Sequence, residues 1–194
     1  MSAEAGVGTL IVVVGPSGAG KDSVINYALD RLSGARVERV RRVITRANDA
    51  GGEDHEAISV AGFEEQRALG AFAVSWSAHG LYYGIPKETK ARLAAGEILI
   101  ANGSRSALPL FRATFWPMKV VNIIASPEVL AKRLIARGRE SEEEIFNRLS
   151  RRVPTLAHEP DVTTIDNSGP LAIAGDMLTM MIQALQQGQV RQKA

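Results

Sequence analysis

The sequence predicts an α/β fold, a doubly wound parallel sheet with helices on both faces. Short β-branched apolar runs recur at Thr9 to Val14, Ile98 to Ala101, Lys119 to Ala125 and Val162 to Asp166, separated by stretches with helical patterning. Continuous apolar runs suit strands buried on both faces, and their alternation with helices suits a parallel sheet. The first run also leads straight into a glycine-rich segment and a helix. A chain of 194 residues is long enough for one such domain with a sizeable core.

In chain order, the first strand is followed by a helix from about Lys21 to Leu32. Val37 to Thr45 reads as one further strand with arginines at alternating positions, and Asn48 to Asp54 as a polar loop. Phe63 to Leu69 reads as a short helix and Ala71 to Trp76 as a strand. Gly80 and Gly84 bracket a turn carrying Tyr82 and Tyr83, and Pro86 to Ala95 resumes a helix. Ser126, Pro127 and Glu128 make a helix start, with serine as the cap and proline in the first turn. Ser141 to Glu144 forms a capping box for another helix, and Leu171 to Gln186 is a closing amphipathic helix.

Composition narrows the function. The chain has no cysteine, which removes disulfide and thiolate-metal chemistry and fits a cytoplasmic setting. No leader or membrane span is expected, because no apolar run nears the roughly 18 residues a span needs. A net charge of +2 gives no case for nucleic acid. Arginine nevertheless outnumbers lysine 17 to 6, and Arg36, Arg39, Arg41, Arg42 and Arg46 crowd one short stretch. Guanidinium forks match phosphate oxygens, so a small phosphorylated ligand is the expected partner. A homodimer stays open.

Gly15-Pro16-Ser17-Gly18-Ala19-Gly20-Lys21 has the spacing of a phosphate loop, whose backbone N–H groups surround phosphate oxygens at a helix N-terminus. The fold class is therefore that of a P-loop NTPase, with ATP and Mg²⁺ expected. Lys21 would reach the β and γ phosphates. The usual Ser or Thr after the lysine is Asp22, followed by Ser23. A carboxylate is a legitimate Mg²⁺ ligand, and an aspartate there also suits the positive end of a helix; both readings stand.

With Thr45-Arg46, Gly80-Leu-Tyr82-Tyr83-Gly84-Ile-Pro86, Arg133-Leu-Ile-Ala-Arg137-Gly-Arg139 and Ile165-Asp166-Asn167 added, the chain resembles the guanylate kinase family from about Thr9 to Leu185. The resemblance implies a single kinase domain over 1–194, with a core of about 9–35 and 91–190. It also implies a substrate-binding insertion of about 36–90 and a helical lid of about 135–150. It gives catalytic roles to Lys21, Arg137 and Arg148, and nucleotide contacts to the loop from Gly15 to Ser23 and to Arg133 and Asn167. Acceptor contacts would fall to Arg42, Arg46, Tyr83 and Arg105, and the metal to Asp22.

The likeness breaks where a guanine would be read. Asp49 stands where that family has a second arginine, Phe72-Ala-Val-Ser75-Trp76 lacks the expected glutamate, and Ile85 replaces a hydroxyl residue. Gly15 to Ser23, Arg42-Val-Ile-Thr-Arg46, Gly51-Gly-Glu-Asp-His-Glu56 and Asn102-Gly-Ser-Arg105 instead resemble the ribose 1,5-bisphosphate phosphokinases of phosphonate catabolism. That implies phosphoryl transfer from ATP to ribose 1,5-bisphosphate, giving 5-phosphoribosyl 1-diphosphate; a guanylate or other nucleoside monophosphate kinase is the alternative. His55 is read as a contact to sugar hydroxyls or metal-bound water, or as part of a plain acidic loop. Arg39 is a ligand-site or a solvated cation. His79 and His158 are structural, and Trp76 and Trp116 core residues.

Overall fold

The structure is a computed structural model and describes residues 8–33, 36–47, 53–138, 156, 159 and 161–192. In chain order its elements are β1 (Thr9–Val14), α1 (Lys21–Arg31), β2 (Val37–Arg39), β3 (Arg42–Ile44), β4 (His55–Ala57), α2 (Val60–Ala68), β5 (Phe72–Ala78) and β6 (Leu81–Pro86). There follow α3 (Thr89–Ala94), β7 (Ile98–Asn102), a 3₁₀ turn (Arg105–Ala107), α4 (Leu108–Thr114), β8 (Met118–Ile124), α5 (Pro127–Arg137), β9 (Val162–Asp166) and α6 (Leu171–Gln192).

The core is a parallel sheet of five strands in the order β2-β7-β1-β8-β9. β1 is central and wholly buried, and its period of two divides the hydrophobic core. Leu10, Val12 and Val14 face one layer with Leu99, Val120 and Phe111 of α4. Ile11 and Val13 face the other, with Val24, Ile25 and Ala28 of α1 and Leu178 and Ile182 of α6. α1 and α6 lie close because Gly175 faces Tyr27, where a Cβ would fall 2.1 Å from a ring carbon. The predicted fold class is therefore the observed one.

A second sheet, β4-β3-β6-β5, packs beside the core. Within it β3 runs parallel to β4 and antiparallel to β6, and β5 and β6 form a hairpin. Trp76 of β5 meets Phe111 of α4 at a ring distance of 5.6 Å, so an aromatic pair joins the second sheet to a helix packed on the core sheet.

Three expectations from the sequence need correction. The strand expected over 37–45 is two strands in different sheets: Val40 N–H still donates to Ile100 O in the core sheet, and the chain then changes partners. Val37 and Val40, three residues apart, lie in opposite layers of the core, as the period of a strand requires, so the chain stays regular up to Val40 and only then breaks away. The chain thus leaves the core sheet after Val40. The turn expected between Gly80 and Gly84 is only His79-Gly80, where positive φ angles of 52° and 73° make a tight hairpin. Tyr82 and Tyr83 belong to β6. Trp116, read as core, is 89% exposed.

The cap at Ser126 is present, its Oγ accepting from Val129 N–H at 3.4 Å. The helix expected from Ser141 lies outside the described residues, as does His158. No helix among the described residues is long and apolar enough to cross a membrane.

Phe111 is fully buried at the junction of the sheets. Phe111→Ala is expected to cost about 3–5 kcal/mol, the range for emptying a buried aromatic position, as a shift of the urea midpoint with unchanged slope.

Candidate active site

The carboxyl ends of β1, β7 and β9 converge on one edge of the core sheet, where open α/β sheets place their ligands. β1 delivers Gly15 to Gly20, and α1 begins at Lys21. Gly15, Gly18 and Gly20 have φ of 147°, 84° and 83°, a region that side chains resist. Two of these glycines are also demanded by the fold. A Cβ at Gly15 would fall 2.1 Å from Ile123 O, and one at Gly20 would fall 2.5 Å from Asn167 Nδ2.

The loop is braced from outside. Asn167, buried just beyond β9, donates from Nδ2 to Ala19 O at 2.8 Å, while its Oδ1 has no partner among the described residues. Arg133 of α5 donates from Nη2 to Asn167 O at 2.9 Å and reaches Gly18 O and Ala19 O at 3.5 Å each. Lys21 folds back, its Nζ donating to Gly15 O and Pro16 O at 3.0 Å each. Burial of that ammonium is the main cause lowering its pKa to about 8, against a raising influence from Asp22 and further lowering by Arg42 and Arg105.

Facing the loop is a charge network. Glu53, just before β4, is buried, and its Oε1 accepts from Arg42 Nε at 2.9 Å and also from Arg42 Nη2. Its Oε2 accepts from Arg39 Nη2 at 3.4 Å and Asn102 Nδ2 at 3.5 Å. The same Arg39 nitrogen donates to Asp22 Oδ1, as does Asn102 Nδ2 at 3.0 Å. Arg42 lies over the ring of Tyr83, with 5.0 Å to the centroid, and Tyr83 stacks on Trp76 at 5.2 Å. A guanidinium fixed by a carboxylate on one side and aromatic faces on the other has little freedom left.

Two further arginines have no such counterpart. Arg46 and Arg105 make no ion pair among the described residues, and the Nε of each is buried without a partner. Burial holds the half-buried Arg105 guanidinium below its usual pKa.

The structure therefore brings together the loop, Lys21, Asp22, Arg42, Tyr83 and Arg105, with Arg133 and Asn167 behind the loop. Ser23 is exposed on α1. Arg137 ends α5, and Arg148 lies outside the described residues. His55 differs from expectation: it is 2% exposed, and its ring bridges Glu53 O and Arg46 O at 3.0 Å each. It ties Arg46 to Glu53 and offers no free ring nitrogen to a ligand. Sequence reasoning did not single out Glu53 or Asn102 and left Arg39 open, although the buried Glu53 contacts Arg39, Arg42 and Asn102 together.

A braced phosphate loop at the edge of a parallel sheet, opposite a cluster of arginines, defines a P-loop phosphotransferase. The family model for guanylate kinase matches residues 7–183, and the chain belongs to that family. It is 54% identical, over 90% of its length and 96% of the relative's, to a ribose 1,5-bisphosphate phosphokinase PhnN of Agrobacterium fabrum. A protein of the same name from Rhizobium etli is 51% identical, with 92% and 91% covered. Among solved structures, guanylate kinase from Anaplasma phagocytophilum superposes with a TM-score of 0.70 at 19% identity, covering 93% of this chain and 87% of that one, and this likeness shows the fold.

The lowered Lys21 pKa gives a pH test. Between about 8 and the ordinary 10.5 the free ammonium has lost its proton, and bound polyphosphate restores the charged form. Calorimetry in buffers of different ionisation enthalpy should show uptake of about one proton per site when ATP binds at pH 9 and almost none at pH 7. Lys21→Met should abolish the uptake.

Proposed function

We propose that this protein transfers the γ-phosphoryl group of ATP to ribose 1,5-bisphosphate, producing 5-phosphoribosyl 1-diphosphate. The observation that carries this reading is the acceptor face. Its cations in this reading are Arg42, which is paired with Glu53, and Arg46 and Arg105, which make no ion pair among the described residues and bury an unpartnered Nε each. Where a nucleotide base would need hydrogen-bonding groups, Val74, Trp76 and Ile85 are buried against one another and the core. A multiply charged sugar phosphate matches cations without base-reading groups, and a buried polar mismatch is what would reject guanine. The two relatives named ribose 1,5-bisphosphate phosphokinase support the same acceptor.

The residues present fit ATP and Mg²⁺. The three positive-φ glycines leave a cradle of backbone N–H groups, and Lys21 lies within the loop that would receive the β and γ phosphates. When bound, ATP supplies the phosphoryl group and Mg²⁺ offsets charge on its phosphates. Lys21 would exchange its two carbonyl contacts for phosphate oxygens. Asp22, partly exposed at the start of α1, offers a hard carboxylate to the metal. Arg42, fixed by Glu53 and the Tyr83 ring, and Arg46 and Arg105 would grip the acceptor phosphates. The acceptor oxygen is already ionised near neutral pH, so alignment and charge neutralisation are the chemistry required, and no strong base is needed. Arg137 and Arg148 carry their lid roles from the family likeness alone. Ligand-free contacts of Arg133 and Asn167 favour bracing of the loop as their part in nucleotide binding.

A coupled ADP-release assay comparing ribose 1,5-bisphosphate with GMP, with the product identified by phosphorus NMR, tests the acceptor. Ribose 1,5-bisphosphate is expected to turn over faster at matched saturation; a preference for GMP would sink the reading. Lys21→Ala should remove most turnover, at least about 100-fold, while circular dichroism stays native. Asp22→Asn should raise the Mg²⁺ concentration needed for half-maximal rate, and an unchanged requirement would remove Asp22 from metal binding.

A further inference from the structure

A single guanidinium reaches both halves of the site. Arg39, the last residue of β2, donates from Nη2 to Asp22 Oδ1 on the first turn of α1 and to Glu53 Oε2, at 3.4 Å, beside the second sheet. Its Nη1 donates to Asn26 Oδ1 at 2.9 Å, and its Nε is buried with no partner among the described residues. The side chain is 14% exposed, so it is no solvated surface charge. Asp22 follows Lys21 directly, while Glu53 also fixes Arg42, so Arg39 ties the phosphate-donor side to the acceptor side.

Two cations compete in this arrangement. A guanidinium on Asp22 Oδ1 withdraws charge from the carboxylate and sets a like charge beside any metal held by its other oxygen, so Mg²⁺ binds Asp22 less well while Arg39 stays in place. A phosphate on the acceptor face offers Arg39 a doubly charged partner next to Arg42, and the unpartnered Nε gives Arg39 a spare donor with which to grip it. We infer that Arg39 is a positioning residue that couples the two sites, weakening the Mg²⁺ affinity of Asp22 until an acceptor phosphate draws its guanidinium away. The inference rests on the proposed function for the identity of the acceptor, and on the geometry alone for the competition at Asp22. Linkage makes the coupling reciprocal, so bound Mg²⁺-nucleotide must strengthen acceptor binding by the same factor.

The test measures binding of β,γ-imido-ATP against Mg²⁺ concentration, by calorimetry, for the full chain and for Arg39→Gln and Arg39→Lys. Without acceptor, Arg39→Gln is expected to lower the Mg²⁺ midpoint at least about fivefold, the lower end of ordinary coupling between sites. Arg39→Lys, which keeps a cation without the fork, should fall between, and it carries the test if Arg39→Gln loses its native circular dichroism. With ribose 1,5-bisphosphate present, the wild-type midpoint should drop toward that of Arg39→Gln, which should itself respond little. Variants that match the wild type without acceptor would overturn the competition whatever the acceptor is. An acceptor-induced drop as large in the variants as in the wild type would overturn the coupling. If the variants shift as expected and ribose 1,5-bisphosphate does not bind the wild type, the acceptor assignment fails and the competition at Asp22 stands.

Discussion

Glu53 holds the crossing between the two sheets. Arg39 is the last residue of the core strand β2, and Arg42 is the first residue of β3 in the second sheet, with Val40 and Arg41 between them. Both guanidinium groups close on the one buried carboxylate. Each of these charges would be costly to bury alone, and together they are satisfied only in one relative placement of the sheets. The ion pairs thereby fix where Arg39 and Arg42 stand relative to the phosphate loop. Stability as such is a weaker reason for their presence, since an apolar replacement of a buried pair is often equally stable. The gain lies in geometry: transfer between two anions requires their oxygens to be aligned, and alignment is what a rigid crossing supplies.

On the donor side, rigidity comes from different bonds. Ala19 O receives the Asn167 amide, and Arg133 ties Asn167 O to the loop carbonyls, so β9 and α5 hold the loop from behind while its front remains available. Gly15 and Gly20 are crowded by Ile123 and Asn167, which ties loop shape to the packing of β8 and β9. Lys21 is the mobile-chemistry partner in this rigid setting. Its ammonium is held by two weak, neutral carbonyl acceptors beside two arginines, a poor environment that a polyphosphate improves.

Much of this could be read in the sequence where the signal is local. The phosphate loop, the buried β1 run and the Ser126-Pro127 helix start each occupy a few consecutive residues, and spacing alone specifies them. The charge network is different in kind. Asp22 meets Asn102, and Glu53 meets Arg39 and Asn102, pairs far apart in sequence that only the sheet order brings together. No local pattern separates Arg39 from the exposed Arg36 and Arg41 beside it. His55 misled for the same reason: it sits among acidic residues in sequence, yet its ring is turned inward to two backbone carbonyls. The split of the strand after Val40 has no local mark either, because Val37 and Val40 occupy opposite layers of the core as in any regular strand, and only the pairing partners show the chain changing sheets.

The acceptor face joins these arguments. Trp76 stacks on Tyr83 and packs against Phe111, with Val74 and Ile85 buried beside them, so the chain's own aromatics occupy the wall of the second sheet. That wall offers Arg42 a ring face. Under the proposed function, selection there rests on charge and its spacing, with Arg42 preset by Glu53 and Arg46 and Arg105 left uncompensated among the described residues. In that reading a compact polyanion is preferred to a nucleotide, whose base would find no polar partner at buried Val74 and Ile85. In the proposed function, the same Glu53 that contacts Arg39 and Arg42 also sets the cation arrangement that meets the acceptor.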